Sequence, residues 1–171
     1  FSVDDLLSGI NKKLINRHPH IFSNSSNDSY KKRSWESTKK KEKNRDSVLD
    51  GVPKSLPALL LSRRIQEKAA GVGFDWDNNN QVLGKVDEEI KELKESIIKN
   101  EGIDEELGDV LFSLVNLSRH LDIDPELSLK RSTEKFMKRF KAIEKEVDIE
   151  ELSLEELDEI WNRNKRGRLK K

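Results

Sequence analysis

Apolar residues recur at helical spacing along most of this chain. Val3, Leu6, Leu7, Ile10 and Leu14 open it as an amphipathic pattern, with Ser2 and Asp4 as candidate N-caps. A polar stretch follows, containing Asn24-Ser25-Ser26-Asn27, Lys31-Lys32-Arg33 and Lys39-Lys40-Lys41. It reads as a loop, a charged helix and a linker ending near Asp50-Gly51-Val52-Pro53, the clearest domain boundary in the sequence. Beyond it, Ser55 is expected to cap a helix with Pro57 in its first turn. Leu59, Leu60, Ile65, Ala69 and Val72 are its apolar positions, and it should stop at Gly71 to Gly73. Phe74-Asp75-Trp76 and the Asn run from Asn78 to Asn80 read as a connector. Periodicity then returns three times: at Val82, Val86, Ile90, Leu93 and Ile97; at Ile103, Leu107, Val110, Leu111, Leu114 and Leu121; and at Leu129, Phe136, Phe140, Ile143 and Val147. Gly102 separates the first two of these helices, and Asp122 to Pro125 the second and third. A last helix from Ser153, with Glu156 completing a capping box, carries Leu157, Ile160 and Trp161. No stretch alternates with period two, so the expected fold is all-α, an antiparallel helical bundle with short connections.

Composition narrows the classes that remain. The 171 residues hold 33 basic and 33 acidic side chains, no Cys, eight Gly and four Pro. Mean hydropathy is −0.82, yet three Trp, six Phe and many Leu and Ile suffice for a modest core. No window approaches the roughly 18 apolar residues of a membrane span, and nothing resembles a secretion leader. The lack of Cys removes disulfide frameworks and thiolate metal sites and fits a reducing cytoplasm. Net charge is zero but unevenly spread, with acidic excess over residues 81–128 and 148–160 and basic excess over 129–147 and 161–171. Alternating blocks of this kind usually mark solvated helix faces.

Projection at about 100° per residue changes that picture. Glu89 and Glu92 lie together at one shoulder of the Val86 and Ile90 stripe, with Lys85, Glu88 and Ser96 on the same side. On the next helix Glu106 and Asp109 repeat the arrangement, accompanied by Ser113 and Asn116. Gly108 between them costs roughly 1 kcal/mol against Ala in a helix interior, which predicts that something approaches closely there. Phe112 and Val115 fall off the stripe, so this helix should have apolar neighbours on two sides. Packed antiparallel, the two shoulders bring four carboxylates together, and their repulsion calls for a divalent cation. An all-oxygen set favours Mg²⁺, with Mn²⁺ as a substitute. On the third helix Lys135 and Arg139 share one shoulder, with Arg131 and Lys138 nearby, which suits phosphate. Trp161, followed by Arg163 and Lys165, offers an aromatic face for a base and further cations.

Taken together, Lys85-Val-Asp-Glu-Glu-Ile-Lys-Glu92, Glu105-Glu-Leu-Gly-Asp-Val-Leu-Phe112, Val115-Asn-Leu-Ser-Arg119, Asp124-Pro-Glu126, Lys135-Phe-Met-Lys-Arg-Phe140 and Trp161-Asn-Arg-Asn-Lys165 resemble a MazG-type nucleoside triphosphate pyrophosphohydrolase. The likeness covers residues 48–165, including Leu56-Pro57-Ala58-Leu59 and Gly73-Phe-Asp-Trp76. Residues 12–50 resemble the tail of a first MazG repeat whose own acidic helices are missing, in keeping with a chain that starts at Phe1. The expected division is therefore a remnant of the first repeat and linker over 1–50 and a catalytic domain over 51–171. The resemblance implies the reaction NTP + H₂O → NMP + PPi, carried out by a homodimer with Mg²⁺ on Glu89, Glu92, Glu106 and Asp109. It also implies nucleotide contacts from Lys85, Glu88, Glu105, Lys135, Arg139, Trp161 and Lys165. Lys135 and Arg139 would stabilise the departing pyrophosphate, and Glu88 or Glu89 would take the water proton.

Rival readings of other residues are weaker. His18-Pro-His20 lacks a third ligand in sequence, and His120 reads as a helix C-cap favoured by the dipole. The Lys39 to Lys41 cluster and the basic tail read as solvated surface, not a nucleic-acid interface. A helical scaffold module and a narrow-specificity dUTPase, dCTPase or phosphoribosyl-ATP pyrophosphohydrolase are the alternative functions.

Overall fold

The computed structural model describes residues 2–17 and 46–166; His18-Pro-His20 and the Lys39 to Lys41 cluster lie outside the described residues. The described residues form six α-helices and one 3₁₀ turn, with no strand among them. They belong to two compact units, Phe1–Ile123 and Asp124–Lys171. This division by packing lies elsewhere than the repeat boundary expected near residue 51, which concerns ancestry of segments rather than their contacts.

In the first unit, α1 (Val3–Arg17) is opened by a reciprocal cap. The Ser2 amide donates to the Asp5 carboxylate (3.2 Å) and the Asp5 amide to the Ser2 hydroxyl (3.1 Å), so Asp5 and not Asp4 completes it. The apolar face of α1 is solvent-facing, each of Val3, Leu6, Leu7, Ile10 and Leu14 being at least 45% exposed. Helix α2 (Ala58–Gly71) starts at Pro57, not at Ser55. The physical reason is local: Leu56 precedes a proline and is pushed out of the helical region, so no helix can run through it from Ser55. The Lys68 ammonium ties the turn over 48–50 to α2 by reaching the Val48 carbonyl at 2.7 Å. Gly73 turns the chain at φ +93°, a conformation that suits glycine.

Helix α3 (Asn79–Lys99) absorbs most of the Asn run that read as connector. Asn78 is its N-cap, its side chain accepting from the amides of Asn80 and Gln81 at 3.1 Å each, and this satisfies two otherwise orphaned donors. Asn100 ends the helix in the left-handed region (φ 57°), and Gly102 (φ 68°) starts α4 (Ile103–His120). So short a connection makes α3 and α4 a helical hairpin, the main packed pair of this unit, with α2 laid on α4. Val82 and Val86 of α3 and Val110 and Val115 of α4 are the buried core. The α4 stripe is covered only in part: Leu107, Leu111 and Leu114 remain nearly half-exposed, while Val115, expected off the stripe, is buried. Burial has shifted toward the side where α2 and α3 meet α4. A Cβ added at Gly108 meets nothing within 4 Å, so none of the described residues makes the close approach that its sequence position suggested.

The second unit holds α5 (Pro125–Ile143), the 3₁₀ turn Ile149–Glu151 and α6 (Leu154–Arg166). Helix α5 begins a turn before Leu129 because Asp124 accepts the Leu127 amide (2.8 Å) and Pro125 has φ preset for the first turn. The expected capping box is present at α6: the Ser153 amide donates to the Glu156 carboxylate at 2.9 Å and the Glu156 amide to the Ser153 hydroxyl at 3.3 Å. Phe136 stacks with Phe140 (5.8 Å between centroids) and meets Trp161 of α6 at 5.1 Å, joining the two helices.

Candidate active site

The α3–α4 hairpin places the acidic shoulders of its two helices against each other. Carboxylate oxygens of Glu89, Glu106 and Asp109 lie within 4.8 Å of one another. Glu89 is only 6% exposed, a costly position for a carboxylate unless it is paired. Its partner is Lys85, one turn back on α3, whose ammonium stands 2.7 Å from Glu89 Oε1 and 2.9 Å from Glu88 Oε1. Those two hydrogen bonds, the one to Glu89 foremost, hold the Lys85 ammonium charged far above its ordinary range. Glu92 is not part of the converging trio, although its charge reaches Glu106. Loss of hydration pushes the Glu106 carboxyl up first, and the negative charges of Glu92, Asp109, Glu89 and Glu105 push it further in the same direction.

A cavity of about 620 Å³ opens beside this cluster, with Glu89, Asp109 and Lys85 in its wall. Phe74 and Trp76, from the connector between α2 and α3, contribute aromatic surface, and Gln66 of α2 and Asn116 of α4 contribute amides. The connector is fastened by Asp75. Arg119 donates to both of its carboxylate oxygens, through Nη1 at 2.9 Å to Oδ2 and through Nη2 to Oδ1, and His120 Nε2 lies 2.9 Å from Oδ1. Partial burial pushes the Asp75 carboxyl up, but the bonds from Arg119 and His120 outweigh it and hold the group below the usual carboxylate range. His120 thus has a specific acceptor as well as its place at a helix C-terminus. Neither Gln66 nor the Asp75, Arg119 and His120 cluster was visible as a site in the sequence, because their partners are 44 to 46 residues away.

The remaining candidates, Glu105 apart, lie in the second unit. The Arg139 guanidinium stands over the Trp161 ring at 5.7 Å from its centroid, and Arg139 Nε is buried with no hydrogen-bond partner among the described residues. Lys135, Lys138 and Lys165 are exposed. On α4, Glu105 is exposed one residue before Glu106.

Comparison with known proteins bears on this arrangement. The family model for the MazG nucleotide pyrophosphohydrolase domain matches residues 78–147. A Thermotoga maritima protein named nucleoside triphosphate pyrophosphohydrolase/pyrophosphatase MazG is 45% identical over 174 residues, which cover 98% of this chain and 67% of that protein. The chain belongs to the MazG family. An Escherichia coli K12 protein named nucleoside triphosphate pyrophosphohydrolase is 39% identical over 97% of this chain and 68% of its own length. The uncharacterized protein YabN of Bacillus subtilis is 40% identical over 96% of this chain, which there accounts for 36% of the relative. The MazG match encloses Lys85, the four acidic residues expected as ligands, and Lys135, Lys138 and Arg139; Trp161 and Lys165 lie beyond it. The all-helical architecture agrees with MazG membership.

Proposed function

We propose that this chain hydrolyses nucleoside triphosphates to nucleoside monophosphate and pyrophosphate, with Mg²⁺ as cofactor, Mn²⁺ as its substitute, and broad base tolerance. The observation that carries the reading is the convergence of Glu89, Glu106 and Asp109 beside the charged Lys85. Three carboxylates form an all-oxygen donor set of the kind hard divalent ions prefer, and the upward push on Glu106, from lost hydration first and from the like charges around it second, is one that such an ion relieves. Glu89, Glu106 and Asp109 would hold the metal, with Glu92 as the fourth ligand. When bound, Mg²⁺ supplies charge neutralisation for the triphosphate oxygens and a more acidic water.

The chain's own residues do the rest. Lys85 fixes the rotamers of Glu88 and Glu89 and offsets part of the cluster's negative charge. Glu88, more exposed and outside the trio, is the carboxylate left to accept the proton of the attacking water. Lys135 and Arg139 stabilise charge on the departing pyrophosphate, and Glu105, Lys138, Trp161 and Lys165 contact the nucleotide. Arg139 is the better preorganised of the two cations, since its guanidinium is already placed by Trp161.

Pyrophosphate release from a panel of NTPs and dNTPs tests the reading. It is expected to appear with Mg²⁺ or Mn²⁺ and to vanish on chelation; no release from any nucleotide overturns it. A preference for one nucleotide above about 10⁴-fold in kcat/KM would replace broad tolerance by a narrow specificity. The half-exposed Leu107, Leu111 and Leu114 on α4 support a homodimer. Light scattering should then report twice 19.8 kDa, and a particle of single mass that still turns over would show that the dimer is not needed. No described helix is long and apolar enough to cross a membrane, and a cytoplasmic location completes the proposal.

A further inference from the structure

The connector between α2 and α3 is fastened unevenly. At its start the Phe74 amide donates to the Ala69 carbonyl at 3.0 Å, and at its end the Asp77 amide donates to Gln81 Oε1 at 2.9 Å. Both bonds are local and fix only the ends. Between them Phe74 is 83% and Trp76 46% exposed, so burial of their rings holds the middle only weakly. Among the described residues, the hydrogen bonds that join this middle to another element all go through the Asp75 carboxylate, to the last turn of α4.

The donors around Asp75 explain why a carboxylate stands there. Its Oδ1 meets Arg119 Nη2, His120 Nε2 at 2.9 Å and the Trp76 amide at 2.9 Å, while Oδ2 accepts from Arg119 Nη1 at 2.9 Å. Two oxygens that only accept match the guanidinium fork, whereas a side-chain amide in the same place would aim a donor at a donor. The same guanidinium also gives Nε and Nη2 to Asn116 Oδ1, at 3.2 and 2.7 Å. One largely buried arginine thus holds both the connector and Asn116 in place. Phe74, Trp76 and Asn116 line the cavity that has Glu89 and Asp109 in its wall.

We infer that Asp75 is a positioning residue: through Arg119 it ties the connector to α4 and holds that side of the cavity in one arrangement, so that substrate gathered at the carboxylates meets a wall already in place. The inference rests on the proposed hydrolysis. The carboxylates themselves are carried by α3 and α4 and braced by Lys85, so the chemical step does not depend on the tie. An untied connector that is in the right place only about a tenth of the time raises KM about tenfold and leaves kcat nearly as it was. A purely structural role predicts the opposite split, because loss of folded protein lowers the apparent kcat and leaves KM alone.

Asp75→Asn, equal in size, is the deciding variant, assayed as the full chain with Mg²⁺ well below its melting temperature. KM for ATP is expected to rise about tenfold, with kcat within about twofold of wild type. Movement of the wall is read separately in a chain whose sole tryptophan is Trp76, made by Trp35→Phe and Trp161→Phe. There Asp75→Asn should increase acrylamide quenching about twofold, as a locally opened segment does. Arg119→Lys, which offers Asp75 an ammonium but no fork, should move both readings the same way. Arg63→Gln is the control, because it breaks another long-range tie, from α2 to the Ile123 carbonyl at 2.7 Å, at a residue outside the cavity wall. It should leave KM and quenching at wild-type values. An unchanged KM in Asp75→Asn overturns the inference, as does a raised KM with unchanged quenching, or an equal rise in Arg63→Gln. If the wild type releases no pyrophosphate, hydrolysis falls and the tie is judged by quenching alone: an increase on Asp75→Asn upholds it, and no increase overturns it.

Discussion

Glu106→Ala is expected to abolish most pyrophosphate release while making the metal-free protein more resistant to heat. Glu106 is one of three carboxylates whose oxygens lie within 4.8 Å. Removing an outer-shell partner of a metal site typically costs about 10–100-fold. Loss of a direct ligand should therefore lower kcat/KM by at least about a hundredfold. The stability effect has the opposite sign because the folded state raises this group's proton affinity, through lost hydration and then through the like charges around it. A carboxyl with a raised folded pKa binds more protons in the folded than in the unfolded chain, so its contribution to stability falls as pH rises through that window. At neutral pH the metal-free fold carries that penalty, and the alanine variant does not. Melting curves of both proteins in chelator, at neutral pH and near pH 5, read this directly. A variant that melts below wild type at neutral pH would show that Glu106 is held by favourable contacts instead. In the acid range where Glu106 is partly protonated, metal loading should release protons, seen as a buffer-dependent enthalpy in titration calorimetry, and affinity should fall with acid from a higher pH than for an ordinary carboxylate site.

Asp75→Ala should lower the melting temperature by about 6 °C, from a loss of about 2 kcal/mol. The carboxylate holds Arg119 through both of its oxygens and meets His120, and the Arg119 side chain is largely buried. Deleting it leaves the guanidinium, among the described residues, with Asn116 alone as a side-chain partner. The loss falls below the roughly 3–5 kcal/mol of a fully buried broken pair because Asp75 is partly exposed. The folded state holds this carboxyl below its usual range, so its stabilisation is complete above the unfolded value and is lost as pH falls through the folded one. The variant should therefore lose less stability than wild type on the acid limb, and parallel acid limbs would exclude the linkage.

Local rules read from the residues account for much of what is observed. The capping box at Ser153, the N-cap at Asp124, the helix stop at Gly71 to Gly73, the helix start at Gly102, and the period of 3.6 that makes the described elements helical are each set by neighbours a few residues away. The same spacing set Glu89 beside Glu92 and Glu106 beside Asp109, and placed Ser113 and Asn116 on the shoulder that now faces the cavity. The local reading failed where two local rules competed. Ser55 is a good cap, but Leu56 before Pro57 forbids the turn that would use it. Asn78 to Asn80 look like loop, yet one side chain that accepts two amides makes them a helix start.

Distance along the chain marks the limit. Gln66 meeting the Phe112 carbonyl, and Asp75 meeting Arg119 and His120, join residues 44 to 46 positions apart, and nothing in the periodicity of either partner encodes the pairing. Docking α2 on α4 aligned those groups, and it also moved burial from Leu107 and Leu114 to Val115. Helix and sign of charge are one-dimensional properties, carried by each residue and its nearest neighbours. The orientation of an amide, the exclusion of Glu92 from the carboxylate trio and the open space around Gly108 depend on how helices lie against one another, and that is settled by packing.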